Sequence, residues 1–258
     1  MSAPAPSPAA EPDYWFAARR PFAALVFVLP WLLVYEVGAI CLGQELEGVR
    51  TGTDAWIRMW LMDSGMPVPV VLPLLTIGIL LLWHRGRGDR WEIRHETLAA
   101  MGAESCFLAV LLAACGHLMR TFVPAAIGAP EALLTRTVNF LGAGLYEETL
   151  FRLMAIPGLF LLLRSLRTPS RAAWGVSIAV VSVAFAACHY AEAGSGGGIL
   201  SSVPHLAAHP EHWFGFAFRL FAGVYFSVVF LVRGYGIAAG THIVYDLLAG
   251  ILLSAGPA

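Results

Sequence analysis

Long runs of apolar residues, separated by short polar segments, make up most of the chain. Seven of these runs approach or exceed the length that an α-helix needs to cross the hydrocarbon of a bilayer. They predict an all-α fold, a polytopic transmembrane helical bundle of about seven, and at most eight, spans. The predicted spans cover residues 22–42, 68–83, 98–119, 137–163, 173–190, 214–232 and 237–253.

The polar segments divide the chain into three parts. The first residues are rich in Ala, Pro and Ser, which predicts a disordered N-terminal tail over residues 1–13. Residues 14–136 contain the first three predicted spans, and residues 137–258 contain the remaining four. The polar loop between the first two spans includes an amphipathic piece, residues 54–62, which we expect to lie in the membrane interface.

The basic residues predict an orientation. In a seven-span arrangement most of them fall on one side, whereas the opposite loops carry few and residues 191–213 carry none. The positive-inside rule therefore predicts a cytoplasmic N-terminus and a C-terminus on the outer side. The residues on the predicted cytoplasmic side are Arg19, Arg20, Arg85, Arg87, Arg90, Arg94, Arg164, Arg167, Arg171 and Arg233.

Composition supports a membrane protein and narrows the expected partners. Hydrophobic residues make up 58% of the chain and charged residues 13%, whereas soluble domains average nearer a half and a quarter. The net charge of -1 indicates no nucleic-acid partner. The four cysteines lie in apolar runs without a CxxC pair or metal-ligand spacing, so we expect them to be buried small residues.

Residues 142–156, GAGLYEETLFRLMAI, interrupt an apolar run with three ionisable groups, Glu147, Glu148 and Arg152. Such groups are costly at bilayer depth and indicate a functional site. Glu148 and Arg152 are four residues apart, so on a helix they share a face and can pair. Glu147 is rotated by about 100° from Glu148 and has no such partner in the motif. Glu147 is therefore the candidate general base, and Glu148 with Arg152 the supporting pair.

Two later spans bring further polar groups to membrane depth. His189 lies at the end of the fifth predicted span, and His242 and Asp246 share one face of the seventh. With Glu147 they could converge in the core of the C-terminal helices, supplying a base, a water-positioning group and donors for an oxyanion. Glu147, His189 and His242 could equally bind zinc. The predicted bounds put these groups at different depths, so convergence requires tilted or offset spans.

Other polar residues have structural interpretations. We expect Glu36 to pack between helices, and Glu104 and His117 to be polar groups near helix ends, while Arg219 lies inside the sixth predicted span without an assigned role. The GIAAG stretch at residues 236–240 has the small-residue spacing that lets helices approach closely.

A histidine-rich segment follows the Gly/Ser-rich loop after the fifth predicted span. Its spacing could form a metal site on a helix, but neighbouring prolines favour a surface loop. The histidines are His205, His209 and His212, and the prolines are Pro204 and Pro210.

Three motifs, in order, resemble those of the CPBP (CAAX protease and bacteriocin-processing) intramembrane endopeptidases. EETLFR resembles the EExxxR motif of this family, FAACH resembles FxxxH, and HIVYD resembles Hxxx(N/D). The segment FRLFAGVYFSVVFLVRGYGIAAGTH is similar to the family's approach to its last motif. The resemblance covers residues 138–253, while the first 130 residues carry no matching motif.

The resemblance implies an intramembrane endopeptidase that cleaves a membrane-associated protein or peptide with a glutamate-activated water and no cofactor. By position, Glu147 is the base, His189 helps to hold the water, and His242 and Asp246 serve the oxyanion. Asp246 stands where the prenyl-protein proteases of the family have Asn. Because an ionised Asp repels an oxyanion, Asp246 must be protonated, paired, or active through His242.

The resemblance also implies an integral membrane protein of the bacterial inner membrane, in contact with membrane lipid. Zinc remains an alternative to the metal-free mechanism. A non-catalytic immunity or scaffold protein that retains the fold is the alternative function. A proton-relay transporter is disfavoured, because the chain shows no inverted repeat and its buried polar groups cluster in the C-terminal half.

Overall fold

The computed structural model describes residues 13–42, 68–120, 133–191 and 198–252, and every regular element in these ranges is a helix. The all-α prediction is therefore confirmed for this part of the chain. The predicted disordered tail, apart from residue 13, and the amphipathic piece at residues 54–62 lie outside the described residues.

The helices begin and end close to the predicted bounds. The first four are α1 (Tyr14–Ala18), α2 (Pro21–Leu42), α3 (Val68–Arg87) and α4 (His95–Arg120). The motif-bearing helix is α5 (Leu133–Glu147), which continues through a π-helical segment (Glu148–Ala155) into α6 (Ile156–Ser165). The remaining α-helices are α7 (Ser170–Cys188), α8 (Ser202–Ala208), α9 (Trp213–Arg233) and α10 (Tyr235–Leu247). Two 3₁₀ turns (Gly198–Ser201 and Pro210–His212) flank α8, and a second π-helical segment (Leu248–Leu252) follows α10.

Four helical segments in the described ranges are long and apolar enough to cross a membrane: Pro21–Leu42, His95–Leu118, Ser170–Cys188 and Pro210–Arg233. They coincide with the first, third, fifth and sixth predicted spans. Many of their large apolar side chains face outward, as in Ile40, which is 75% exposed. Such an exterior suits contact with lipid chains rather than water.

The other three predicted spans are also helical but differ from these four. The helix through α5 and α6 carries Glu147, Glu148 and Arg152, and α10 has only 13 residues before its π-helical segment. The described part of α3 is a 20-residue helix that ends in basic residues. The total of seven spans therefore remains a prediction.

Helix α10 lies at the centre of the bundle, packed against α2, α4, α5 and α9. Its GIAAG stretch allows this, as predicted. A Cβ added to Gly236 would lie 2.8 Å from the Cα of Ala24 in α2, and one added to Gly240 would lie 2.7 Å from Ser105 Oγ in α4. Real side chains do not tolerate such distances, so the small residues set the separation between these helices.

A still closer contact joins α10 to the motif helix. A Cβ added to Gly144 would lie 2.7 Å from the backbone nitrogen of Ile243. Gly144 is one turn before Glu147 and Ile243 follows His242, so this backbone contact brings two of the predicted site residues to the same level.

Polar contacts tie the surrounding helices together. Glu104, predicted to lie near a helix end, instead lies well inside α4 and accepts a 2.8 Å hydrogen bond from Arg233 Nη2 and another from the Tyr14 hydroxyl. Glu36 accepts a hydrogen bond from the hydroxyl of Tyr146 and so packs between helices, as predicted. The expectation of buried cysteines was correct only for Cys188, because the other three lie on exposed helix faces.

Candidate active site

The motif helix changes its hydrogen-bonding pattern at the predicted site. Glu147 is the last residue of α5, and the next eight residues are π-helical, with the N–H of Ile156 bonded to the carbonyl of Phe151, five residues back. Pro157 follows and has no N–H to donate, which removes one ordinary i→i−4 bond from this stretch. π-Helical segments are rare and occur frequently at functional sites.

Glu148 and Arg152 form the predicted ion pair, with 2.9 Å between Glu148 Oε1 and Arg152 Nη1 and both side chains fully buried. Arg152 also donates a 3.1 Å hydrogen bond to the carbonyl of Gly223 in α9. Its guanidinium lies 4.3 Å from the ring centre of Phe185 in α7. The arginine therefore fixes the motif helix against both α7 and α9.

The same Glu148 oxygen accepts a second hydrogen bond, from His242 Nδ1 at 2.8 Å, which sequence reasoning missed. A carboxylate can only accept, so His242 carries its proton on Nδ1 here. The ring of Phe226 stacks on the imidazole, with 4.4 Å between ring centres and an interplanar angle of 16°. These contacts orient His242 so that Nε2 faces Glu147 and Asp246.

The buried carboxylate of Glu147 lies between two imidazoles. Its Oε1 is 3.9 Å from His189 Nε2, and its Oε2 is 3.8 Å from His242 Nε2. Both distances exceed that of a direct hydrogen bond. A separation of this size suits a bridging water between the polar groups.

His189 is the first residue after α7. Its Nδ1 lies 2.8 Å from the carbonyl oxygen of Phe185, which can only accept, so Nδ1 donates and Nε2 is left facing Glu147. The predicted bounds put Glu147 and His189 at different depths, but the packing of the helices brings Nε2 of His189 to 3.9 Å from Glu147 Oε1.

Asp246 lies one turn after His242 on α10. Its Oδ2 is 3.5 Å from His242 Nε2, and the side chain is partly exposed. The structure therefore brings Glu147, His189, His242 and Asp246 together, with Glu148 and Arg152 directly behind them. The arrangement offers a buried carboxylate with two imidazoles for acid–base chemistry.

Four of these side chains lie on the wall of a cavity of about 650 Å³: Glu147, His189, His242 and Asp246. That volume is within the usual range for small-molecule sites and accommodates a short peptide segment. Sequence reasoning placed several of the lining residues outside the predicted catalytic group. They are His117, Phe140, Tyr190, Glu211, His212, Phe214, Phe218, Arg219 and Tyr245. Arg219 was visible as an ionisable group inside a span, whereas the aromatic residues gave no distinguishing signal.

Two groups of residues that include histidines are candidate metal ligands from the sequence. Across the described ranges, no group of three or more His, Cys, Asp or Glu side chains is arranged to hold a metal ion. In the histidine-rich segment, His205 Nε2 and His212 Nδ1 lie 3.1 Å apart, at hydrogen-bonding distance. This segment forms α8 and a 3₁₀ turn rather than an irregular loop.

Comparison with protein families identifies a relationship for the C-terminal half of the chain. Residues 129–248 match the model of a family described as Rce1-like, type II CAAX prenyl endopeptidase. The matched segment contains all three motifs, which confirms the resemblance to the CPBP endopeptidases. No curated protein and no solved structure matches the chain significantly.

Proposed function

From the CAAX prenyl endopeptidase family that residues 129–248 match, we propose that this protein is an intramembrane endopeptidase that hydrolyses a peptide bond of a membrane-associated protein or peptide. One observation carries the proposal: the Glu147 carboxylate is buried on a cavity wall, with an imidazole nitrogen within 4 Å of each of its oxygens. We also propose that the protein crosses a bacterial inner membrane seven times and has its N-terminus in the cytoplasm.

In the proposed reaction a water bridges Glu147 and His189. Glu147 accepts a proton from this water while the water oxygen attacks the carbonyl carbon of the peptide bond. The tetrahedral intermediate then collapses, the C–N bond breaks, and the proton on Glu147 passes to the leaving nitrogen. His189 supports the step because its Nδ1 is held by the Phe185 carbonyl, which leaves Nε2 available to the water.

The oxyanion is proposed to form near His242. Because Nδ1 donates to Glu148, only Nε2 of His242 can face the intermediate, and it donates there when protonated. Asp246 acts through His242 in this scheme, since an ionised carboxylate would repel the oxyanion and its Oδ2 lies 3.5 Å from Nε2.

The test compares two glutamates that lie in apolar helices of the bundle. Glu147→Gln removes the proposed base with little change of shape, and Glu36→Gln alters another membrane-depth carboxylate that does not line the cavity. Purified proteins in liposomes are incubated with free and prenylated quenched peptides, and the products are identified by mass spectrometry. We expect Glu147→Gln to lower kcat by about 10²–10⁴-fold and Glu36→Gln to stay close to wild type. Full activity of Glu147→Gln would overturn the mechanism.

Measuring cleavage in the presence of a chelator distinguishes the metal-free mechanism from a zinc-dependent one. The metal-free mechanism predicts that cleavage persists in EDTA. Loss of cleavage in EDTA and recovery with zinc would instead make Glu147, His189 and His242 metal ligands.

A further inference from the structure

Arg219 differs chemically from the rest of the cavity wall. Among the described residues that line the cavity, it is the only Arg or Lys, and the other ionisable groups there are carboxylic acids, histidines and tyrosines. It lies about 9 Å along α9 from Trp213, within the candidate span Pro210–Arg233. Cationic side chains at membrane depth usually face a protein interior or a water-filled cavity and mark substrate pathways.

The Arg219 side chain is held in one position. Its Nη1 donates a 2.8 Å hydrogen bond to the hydroxyl of Tyr190, and the guanidinium lies 5.3 Å from the centre of the same ring. The Tyr190 hydroxyl in turn donates to the carbonyl of His212 at 3.3 Å. Tyr190 directly follows His189, so the guanidinium is anchored beside the proposed water-binding histidine.

A glycine makes room for this pair. Gly215 is one turn before Arg219, and a Cβ added there would lie 2.5 Å from the Tyr190 hydroxyl oxygen and 3.0 Å from Arg219 Nη1. Any other residue at this position would displace the pair. The local sequence is therefore suited to hold a guanidinium at the cavity wall.

Within the described part of the chain Arg219 makes no hydrogen bond or ion pair with a carboxylate: its hydrogen bond is to Tyr190, and the Asp246 carboxylate acts on it only electrostatically, beyond ion-pair distance. The two buried arginines among the described residues differ in this respect. Arg152 lies 2.9 Å from Glu148, and Arg233 lies 2.8 Å from Glu104. A guanidinium has five N–H donors in a planar fork that matches a carboxylate, and most of these remain available in Arg219.

We propose that Arg219 binds a carboxylate group of the peptide substrate and thereby selects which peptides are cleaved. The contact is a charge-assisted, fork-shaped pair of hydrogen bonds. The carboxylate comes either from the C-terminus of the peptide or from an Asp or Glu side chain near the cleaved bond. That the bound peptide is a substrate rests on the proposed function, whereas the binding itself does not.

The test measures binding in a Glu147→Gln background, where the peptide is not turned over. The probe is a fluorescent, N-palmitoylated hexapeptide of Gly, Ala, Leu and Val in three forms: a free C-terminal carboxylate, a C-terminal amide, and an amide whose last residue is Asp. Fluorescence anisotropy in nanodiscs gives the affinity of each form. We expect one carboxylate form to bind about 10–100-fold more tightly than the plain amide, as for a hydrogen bond to a charged group.

Arg219→Gln should abolish this preference, and Arg219→Lys should keep part of it because the charge remains without the fork. A merely structural Arg219 would change stability but not the ratio of affinities. Equal affinity for all three forms, or a preference that persists in Arg219→Gln, overturns the proposal. The carboxylate form that gains affinity identifies the source of the group.

A cleavage assay of the same peptides with the protein that retains Glu147 tests the proposed function independently of the Arg219 site. Carboxylate-dependent binding without cleavage of any peptide would retain the Arg219 site and contradict the protease. Cleavage without any carboxylate dependence would retain the protease and contradict the Arg219 site.

Discussion

At the residue scale, Glu148 is bonded directly to two other residues of the site. Its Oε1 accepts from both Arg152 and His242. The pairing with Arg152 could be predicted because i,i+4 residues share a helix face. The contact with His242 could not, because 94 residues separate the two and helical periodicity says nothing about how separate helices are rotated toward each other.

A double-mutant cycle tests the buried ion pair. Glu148→Gln alone leaves the Arg152 charge buried without its carboxylate, and Arg152→Met alone leaves the Glu148 charge with the His242 hydrogen bond but without its cation. Breaking a buried pair costs about 3–5 kcal/mol, so each single variant should lower the free energy of unfolding by that amount. The double variant removes both charges and should lose clearly less than the sum. Denaturant unfolding in detergent measures all four proteins, and strictly additive losses would contradict the coupling.

Two amide substitutions at His189 test which ring nitrogen faces the reaction. Gln can place a polar atom near the position of Nε2, whereas Asn reaches only the position of Nδ1. If Nδ1 merely holds the Phe185 carbonyl and Nε2 serves the water, His189→Gln should keep more of kcat/KM than His189→Asn. Peptide cleavage by both purified variants gives the comparison, and the reverse order would assign the working atom to Nδ1.

At the element scale, the π-helical segment is the feature that the sequence did not reveal. An apolar run with four-residue spacing predicts a helix but does not distinguish i→i+4 from i→i+5 bonding. Pro157 follows the π-helical segment in the first turn of α6, where it has no N–H to donate. The small-residue contact of α10 was predicted, because GIAAG has a recognisable spacing.

Gly144 and Gly158 form a matched pair for testing helix separation. A Cβ at Gly144 would lie 2.7 Å from the backbone of Ile243, whereas one at Gly158 meets nothing within 4 Å. Gly144→Ala should push α5 away from α10, cost about 1–3 kcal/mol and reduce cleavage by displacing His242 from Glu147.

The control should behave in the opposite way. Gly158→Ala gains helix propensity without a new contact, so it should be neutral or more stable by up to about 1 kcal/mol. Unfolding in detergent and peptide cleavage measure both variants. Equal behaviour of the two would mean that the α5–α10 contact does not control the site.

At the scale of the whole molecule, the apolar runs predicted the helices well because length and hydropathy are local properties. Convergence of the site residues was harder to predict. The sequence grouped Glu147, His189 and His242 because all three are polar residues at membrane depth and because their motifs resemble those of a known family. The distances of 3.9 Å from Glu147 to His189 and 3.8 Å from Glu147 to His242 depend on how the helices pack, which the sequence does not show. Arg219 was noticed but received no role, because its meaning depends on Tyr190 and Gly215, which only the fold brings beside it.

The predicted orientation can be tested across a single helix. Leu166 and Leu200 flank α7 and are 69% and 78% exposed, so a cysteine at either position is open to labelling. In a variant without the four native cysteines, a membrane-impermeant maleimide applied to intact spheroplasts should label Leu200→Cys. Leu166→Cys should react only after permeabilisation, because the positive-inside rule puts the Arg164 to Arg171 segment in the cytoplasm. The opposite pattern would invert the topology, and labelling of both from outside would mean that α7 does not cross the membrane.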